Sequence, residues 1–181
     1  MTRLALLAAV AALAAPLVAS PAFAAIKEGA AAPDFTLQGF QAGKALTFSL
    51  ADARKKGPVV VYFFPAADTP GCNIEAKMFA DAIPQFAANG ATVIGITAGK
   101  LDQLQRVSAD TDKCSGKFPV AADPGAKVAK EYDAMMNAAI SNRTSFVISP
   151  AGQVLHVHSD LNPNEHVAQT LSAVKSYKAK K

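Results

Sequence analysis

Two cysteines, Cys72 and Cys114, are the strongest nucleophiles in this sequence. Cys72 follows Thr69-Pro70-Gly71, which is typical of a helix start, because Thr is a favoured N-cap and Pro fits the first helical position. Cys72 would then be the third helical residue, where its sulfur faces unpaired backbone N–H groups. Those donors and the helix dipole favour the thiolate, the nucleophilic form of cysteine.

An apolar segment precedes this helix start, and the run YFFPAADTPGC at 62–72 connects the two. Residues 58–64, PVVVYFF, are almost all β-branched or aromatic, which is typical of a strand buried on both faces. Pro65 lacks an N–H and therefore ends the strand, and we expect its ring to shield the nearby sulfur from bulk water. The end of this strand thus positions Cys72 as a nucleophile.

Alternating strand and helix patterns occupy the rest of the chain. Residues 33–50 predict an N-terminal β-hairpin around a Gly-containing turn, and the helix after Cys72 has Ile74, Met78, Phe79 and Ile83 at helical spacing. Further elements are predicted as strands at 91–98, 118–123, 144–149 and 153–159, and as helices at 99–109, 124–136 and 162–177. This order predicts an α/β, thioredoxin-like fold, with a central mixed β-sheet flanked by helices.

The N-terminus has the pattern of an export signal. Arg3 precedes an apolar stretch at 4–18, and Ala22-Phe23-Ala24 is a small-x-small motif of the kind that signal peptidase cleaves. An uncleaved membrane anchor is the alternative, but the stretch is short for a span and contains Pro16. We therefore expect a cleaved signal peptide at 1–24, a single domain at 25–181, and an exported, periplasmic protein that is free of the membrane.

Charge gives no sign of a nucleic-acid partner. Cleavage removes one Arg from the 18 Lys and Arg, against 14 Asp and Glu, so the net charge falls from +4 to +3. Apart from RKK at 54–56 and the tail KSYKAKK, the basic residues are scattered, and no aromatic interleaving accompanies them. In an oxidising compartment the two cysteines also allow a purely structural disulfide, and their spacing fits no zinc motif. Both alternatives, a structural pair and a chemical role, stay open on these grounds.

The segment around Cys72 resembles the peroxiredoxins. Pro65-x-x-x-Thr69-x-x-Cys72 matches their active-site signature, and the run through Glu75 is similar to the peroxiredoxin Q, or bacterioferritin-comigratory, branch. The likeness extends over nearly all of residues 25–181, through APDF, VIGIT, FPVAADP and NPNEHVAQTL. It implies a thiol-dependent peroxidase that reduces hydrogen peroxide and organic hydroperoxides through a cysteine sulfenic acid.

The resemblance also assigns roles to individual residues. Cys72 would be the peroxidatic cysteine, Thr69 would help to hold the peroxide, and Arg143, just before the TSFVI strand, would pair with the thiolate and the peroxide oxygens. A guanidinium suits this role because it stays charged and presents a planar fork of donors. Glu75 either orients that arginine or is an ordinary solvated helix residue. No metal, haem, flavin or other cofactor is implied.

The second cysteine departs from the commonest pattern of this branch. A resolving cysteine is common five residues after the first, and this chain has Lys77 there. Cys114 lies before Phe118-Pro119, where related proteins can carry the resolving cysteine, so it is the candidate. The surrounding sequence SADTDKCSGK is small and polar, and we expect an exposed, mobile loop.

Other functions and partners remain open at this stage. A thiol–disulfide oxidoreductase usually needs Cys-x-x-Cys, which is absent here, and a redox-sensing module would need an exposed apolar face. The expected partners are a peroxide and, as reductant, a thioredoxin-like protein or a small thiol such as glutathione, with the protein a monomer or weak dimer. His156, His158 and His166 are interpreted as non-metal residues, the first two on a solvent-facing strand edge.

The export signal generates a direct prediction. Mass spectrometry of the protein isolated from the periplasm should show a chain that begins at Ala25, because cleavage is expected between Ala24 and Ala25. Intact chains beginning at Met1 in the cytoplasm would contradict it.

Overall fold

The computed structural model describes residues 26–180, so the predicted signal peptide and its cleavage site lie outside the described residues. Within that range one sheet contains seven strands, in the order β2-β1-β5-β4-β3-β6-β7. The strands are Thr36–Gln41 (β1), Lys44–Ser49 (β2), Val59–Phe63 (β3), Thr92–Thr97 (β4), Val120–Ala122 (β5), Thr144–Ile148 (β6) and Val154–Ser159 (β7).

The sheet is mixed, as predicted. Strand β4 pairs in parallel with both β3 and β5, whereas β1, β6 and β7 add to this centre in antiparallel pairings. Strands β1 and β2 form the expected N-terminal hairpin around Ala42 and Gly43, which both have positive φ. The thioredoxin-like architecture is therefore confirmed.

Helices cover both faces of the sheet. They are Leu50–Arg54 (α1), Pro70–Ala88 (α2), Leu101–Ala109 (α3), Lys127–Glu131 (α4) and His166–Ala179 (α5). Helices α2, α3 and α5 bury side chains against one face, and α1 and α4 against the other. Within residues 26–180, no helix combines the length and the apolar character that crossing a membrane requires.

Strand β3 lies at the centre of both cores. All five of its residues are buried, with Val60 and Tyr62 in the cluster under α2 and Val61 and Phe63 in the opposite cluster. This confirms the prediction, from its continuous apolar sequence, of a strand buried on both faces. Because β3 is fixed on both sides, its carboxyl end is a rigid base for the turn that follows.

Helix α2 buries Phe79 and packs Ile83 against the core, as its apolar spacing predicted, but it leaves Ile74 exposed and buries polar residues as well. Ile74 is 51% exposed, whereas Cys72, Glu75 and Phe79 are buried. Small alanines continue this face, so the helix lies close to the sheet, and Tyr62 stacks on Phe79 with ring centroids 4.4 Å apart. The buried face of α2 thus places the Cys72 thiol and the Glu75 carboxyl group side by side inside the protein.

The predicted helix at 124–136 is much shorter in the structure. A 3-10 turn at Pro124–Ala126 precedes α4, and Gly125 and Ala126 have positive φ values of 75° and 54°. The Asp123 carboxylate accepts hydrogen bonds from the backbone N–H groups of Val128 and Ala129, at 3.1 and 2.8 Å. These left-handed residues and this side-chain cap start the helix late, which residue periodicity does not reveal.

Candidate active site

Cys72 lies in the first turn of α2, directly after the turn that follows β3. Thr69 is at the N-cap with extended backbone angles, and Pro70 begins the helix, as the sequence predicted. The Thr69 hydroxyl donates to the carbonyl of Ala66 at 3.1 Å instead of capping the helix, so the hydroxyl oxygen keeps lone pairs free to accept. Cys72 is only 5% exposed, so its sulfur is shielded from bulk water.

Arg143 brings a positive charge to this sulfur. It precedes β6, which pairs with β3, so the sheet register places the start of β6 beside the end of β3. Its Nη2 donates to Cys72 Sγ at 3.5 Å, and its Nε donates to the Leu161 carbonyl at 2.8 Å. Arg143 is 5% exposed, so the charge acts on the sulfur in a low-dielectric setting.

Glu75 holds the other side of the guanidinium. Arg143 Nη1 donates to Glu75 Oε2 in a buried ion pair, which supports the orienting role and excludes the solvated alternative. Burial raises the pKa of Glu75 to about 8, and the charge and hydrogen bond of Arg143 oppose that rise. Gly71 leaves room for this arrangement, because a Cβ there would lie 3.2 Å from Arg143 Nη2.

A buried histidine, His166, lies next to Glu75 on the inner side of the site. His166 Nδ1 lies 3.7 Å from Glu75 Oε1, which has no hydrogen-bond partner among the described residues. His166 Nε2 faces the Asp160 carbonyl at 2.9 Å and must donate to it, so the neutral ring accepts at Nδ1 from the Ser145 hydroxyl, at 2.8 Å. Burial lowers the pKa of His166 to about 4, which keeps the ring neutral at neutral pH.

The other two histidines do not join His166 as a ligand set. His156 Nδ1 lies 2.8 Å from Glu28 Oε1, whereas the His158 ring packs edge-on against His166 at 4.6 Å between centroids. Strand β7 is an edge strand, as expected, but His156 and His158 are partly buried and do not fully face solvent. Among residues 26–180, no group of three or more His, Cys, Asp or Glu side chains is placed to hold a metal ion.

The expectation that Cys114 lies on an exposed loop was wrong. Its side chain is fully buried in the same apolar cluster as Cys72, Tyr62 and Phe118, and the two thiols are unbonded. The polar residues around it form hydrogen-bonded turns that direct the small, apolar thiol inward. Burial raises the pKa of Cys114 to about 12, so this thiol is protonated while it stays in the core.

Pro65 lies in the turn between β3 and α2, beside the site. It is partly exposed, and its carbonyl accepts a hydrogen bond from the Thr97 hydroxyl at 3.4 Å, which ties the turn to the end of β4. The structure thus brings Cys72, Arg143 and Glu75 into direct contact, with Thr69 and Pro65 in the adjoining turn.

Comparison with known proteins identifies the family to which this chain belongs. Residues 29–157 match the family model described as AhpC/TSA family. The chain belongs to the AhpC/TSA family. Chloroplastic peroxiredoxin Q from Oryza sativa subsp. japonica is 34% identical over 154 residues, covering 83% of this chain and 68% of that protein. The counterpart from Sedum lineare is 33% identical, covering 91% and 86%.

Solved structures of AhpC/TSA proteins share the fold. The crystal structure of peroxidoxin BcpB from Mycobacterium tuberculosis superposes with a TM-score of 0.74 at 28% identity, covering 83% of this chain and 97% of that one. Reduced 2-Cys peroxiredoxin from Plasmodium vivax gives a TM-score of 0.76 at 18% identity, over 84% and 97%. The resemblance to peroxiredoxins stated from the sequence is therefore confirmed.

Sequence reasoning missed part of this AhpC/TSA site. It left Glu75 undecided, although a position three residues after Cys72 on a helix falls on the same face, which was the available signal. It treated His166 only as a metal-ligand alternative, and it did not identify Ser145 or the Leu161 carbonyl. The last two depend on how β6 and the segment after β7 meet, which no local pattern encodes.

The buried ion pair generates a stability prediction. Arg143→Ala should lower the free energy of unfolding by about 3–5 kcal/mol at about pH 9.5, because the buried Glu75 would lose the charge that pairs with its ionised form. Below about pH 8 the folded wild type and the folded variant both hold the Glu75 proton, so both lose stability alike as pH rises above about 4.5. Above about pH 8 the wild-type carboxyl ionises beside Arg143, whereas the variant keeps its proton and continues to lose stability as pH rises. The loss at about pH 7 should therefore be smaller than at about pH 9.5, as measured by urea denaturation with reductant present.

A second variant provides the control. Adding Glu75→Gln to Arg143→Ala removes the ionisable group, so the double variant should lose the extra pH dependence and recover part of the stability. Equal losses at both pH values in Arg143→Ala, with no recovery in the double variant, would show that Glu75 is not the charge that Arg143 compensates.

Proposed function

We propose that this protein is a thiol-dependent peroxidase in which Cys72 is the peroxidatic cysteine. It reduces hydrogen peroxide and organic hydroperoxides to water and alcohols. The observation that carries the proposal is the contact between Arg143 Nη2 and Cys72 Sγ at the first turn of α2. A guanidinium and a helix N-terminus at one sulfur both favour the thiolate, which is the attacking species.

The first step forms one bond and breaks one. The Cys72 thiolate attacks a peroxide oxygen, so that an S–O bond forms while the O–O bond breaks. Cys72 becomes a sulfenic acid, and the other oxygen takes a proton and leaves as water or an alcohol. Negative charge develops on the departing oxygen, and the Arg143 guanidinium and the free N–H groups at the helix start stabilise it.

Thr69 and Pro65 support this step in the proposal. The Thr69 hydroxyl already donates to Ala66, so its oxygen is available to accept a hydrogen bond from the peroxide O–H. Pro65 has no N–H to compete for the peroxide, and it closes one side of the turn against water. The peroxide thus binds between an acceptor from Thr69 and the donors at the helix start.

Cys114 completes an intramolecular cycle as the resolving cysteine. Its thiolate attacks the Cys72 sulfenic sulfur, so that an S–S bond forms, the S–O bond breaks, and the oxygen leaves as water. Because a thiol with a pKa of about 12 is almost wholly protonated at neutral pH, Cys114 must leave the apolar cluster before it reacts. A local opening of the segment around Cys114 is therefore part of the cycle.

The competing functions are less favoured. A thiol–disulfide oxidoreductase would need a second cysteine at position 75, and that position is Glu75, paired with Arg143 inside the protein. The regeneration step of the peroxidase needs a thioredoxin-type reductant or a small thiol. The N-terminal signal pattern supports a periplasmic site of action, where a thioredoxin-like protein of that compartment would supply the electrons.

Peroxide consumption tests the assignment of Cys72. The protein with a thiol reductant should remove hydrogen peroxide, and Cys72→Ser should reduce the rate to that of the reductant alone, because the only attacking sulfur is lost. Cys114→Ser is the matched control and should still consume peroxide with a small thiol. Full activity in Cys72→Ser would refute the proposal.

Peptide mapping tests the assignment of Cys114. One equivalent of peroxide should produce a Cys72–Cys114 link within a single chain under non-reducing conditions. Cys114→Ser should instead accumulate over-oxidised Cys72, because its sulfenic acid has no internal partner. Absence of the link in a protein that turns over normally would mean that an external thiol resolves Cys72 directly.

A further inference from the structure

Asp68 joins the turn before Cys72 to the segment that carries Cys114. Its Oδ1 accepts from Lys113 Nζ at 2.6 Å, and its Oδ2 accepts from Arg106 Nη2 at 2.6 Å. Lys113 also pairs with Asp110 at 2.9 Å. Asp68, Arg106, Asp110 and Lys113 are called the ionic clasp below.

The clasp lies between the two cysteine-bearing segments. Asp68 is in the turn between β3 and α2, four residues before Cys72, and Lys113 directly precedes Cys114. The Lys113 side chain is only 14% exposed, so water screens its pair with Asp68 less than it screens an ordinary surface pair. Arg106 is 70% exposed and contributes less, so the contact between Asp68 and Lys113 is the main restraint.

We propose that Asp68 and Lys113 are positioning residues that hold the two segments in the unbonded arrangement and so slow the formation of the Cys72–Cys114 disulfide. This inference rests on the proposed role of Cys114. The hydrogen bond between the two side chains, and then their opposite charges, lower the pKa of Asp68 and raise the pKa of Lys113, so both stay charged at neutral pH.

The reasoning follows from what the resolving step requires. Cys114 must leave its buried position to ionise, and Lys113 is its immediate neighbour in the chain, so the opening of this segment displaces Lys113. Contacts of 2.6 Å do not survive a displacement of a few ångströms. The opening that allows disulfide formation therefore breaks the clasp, and a stronger clasp makes that opening rarer.

The consequence is a choice between two fates for oxidised Cys72. The sulfenic acid either forms the disulfide with Cys114 and releases water, or meets a second peroxide. In the second reaction another S–O bond forms at Cys72, the peroxide O–O bond breaks, the other peroxide oxygen leaves as water, and Cys72 becomes a sulfinic acid. By slowing disulfide formation, the ionic clasp increases the fraction of Cys72 that becomes sulfinic acid. It therefore sets the sensitivity of the protein to over-oxidation.

Asp68→Asn is the sharpest test variant. It removes the negative charge while Lys113 keeps its positive charge beside Cys114, so any change arises from the clasp and not from the local charge at the thiol. Asn also tolerates the left-handed backbone at this position, where φ is 61°. The matched control is Asp52→Asn, which removes an exposed pair of 2.7 Å between Asp52 in α1 and Lys55 at the end of that helix.

The experiment measures the rate of disulfide formation after one equivalent of hydrogen peroxide, with alkylation of free thiols and mass spectrometry at each time. Asp68→Asn should form the Cys72–Cys114 bond about fivefold faster than the wild type, which corresponds to about 1 kcal/mol. With excess peroxide it should accumulate less sulfinic acid. Lys113→Met breaks the same contact and should also accelerate the reaction, but by less, because it removes the positive charge that favours the Cys114 thiolate. Asp52→Asn should match the wild type.

Ionic strength supplies a readout that a merely structural role would not produce. Raising the salt concentration should accelerate disulfide formation in the wild type, because salt screens the clasp, and should have little effect in Asp68→Asn. Unchanged or slower disulfide formation in Asp68→Asn and Lys113→Met, with the bond forming normally in the wild type, would overturn this inference alone. If the wild type forms no such bond, the role of Cys114 fails and the inference fails with it.

Discussion

The buried ion pair between Glu75 and Arg143 is the interaction on which the site depends. Removing two charges from water is costly, and the cost is offset only where the geometry is good and the remaining donors are satisfied. Here Nη1 bonds the carboxylate, Nε bonds the Leu161 carbonyl, and Nη2 is left directed at Cys72. The contacts that offset the cost of burying the Arg143 guanidinium therefore also orient it toward the Cys72 sulfur.

The fold supports this pair from several elements at once. Helix α2 supplies Cys72 and Glu75 from one buried face, and Arg143, the residue before β6, lies beside the end of β3. The strand pattern, the hairpin and the helix start at Thr69 follow from local residue types, so the sequence predicted them correctly. The late start of α4 depends on left-handed residues and on the Asp123 cap, which are tertiary details.

Burial was the property that the sequence described least well. The polar run around Cys114 looks like a solvated loop, yet turns within it and the pair between Lys113 and Asp68 fold the thiol into the core. Ile74 is exposed although it is large and apolar, whereas Glu75 is buried because its partner, Arg143, lies far along the chain, directly before β6. Residue type alone cannot show which polar groups have found partners. In the proposed cycle Cys72 is therefore the reactive cysteine, and Cys114 does not react until the segment around it opens.

Thiolate formation at Cys72 is the most direct measure of the central claim, that Arg143 held by Glu75 activates this sulfur. The measurement is the rate at which iodoacetamide alkylates Cys72 at pH 6, in a Cys114→Ser background. Glu75→Gln and the double variant Glu75→Gln/Arg143→Ala are compared, so that neither contains an unpaired carboxylate. We expect the Glu75→Gln variant, which keeps Arg143, to react at least about tenfold faster than the double variant, since only the thiolate is alkylated. Equal rates in the two variants, at the level of an ordinary cysteine, would contradict it.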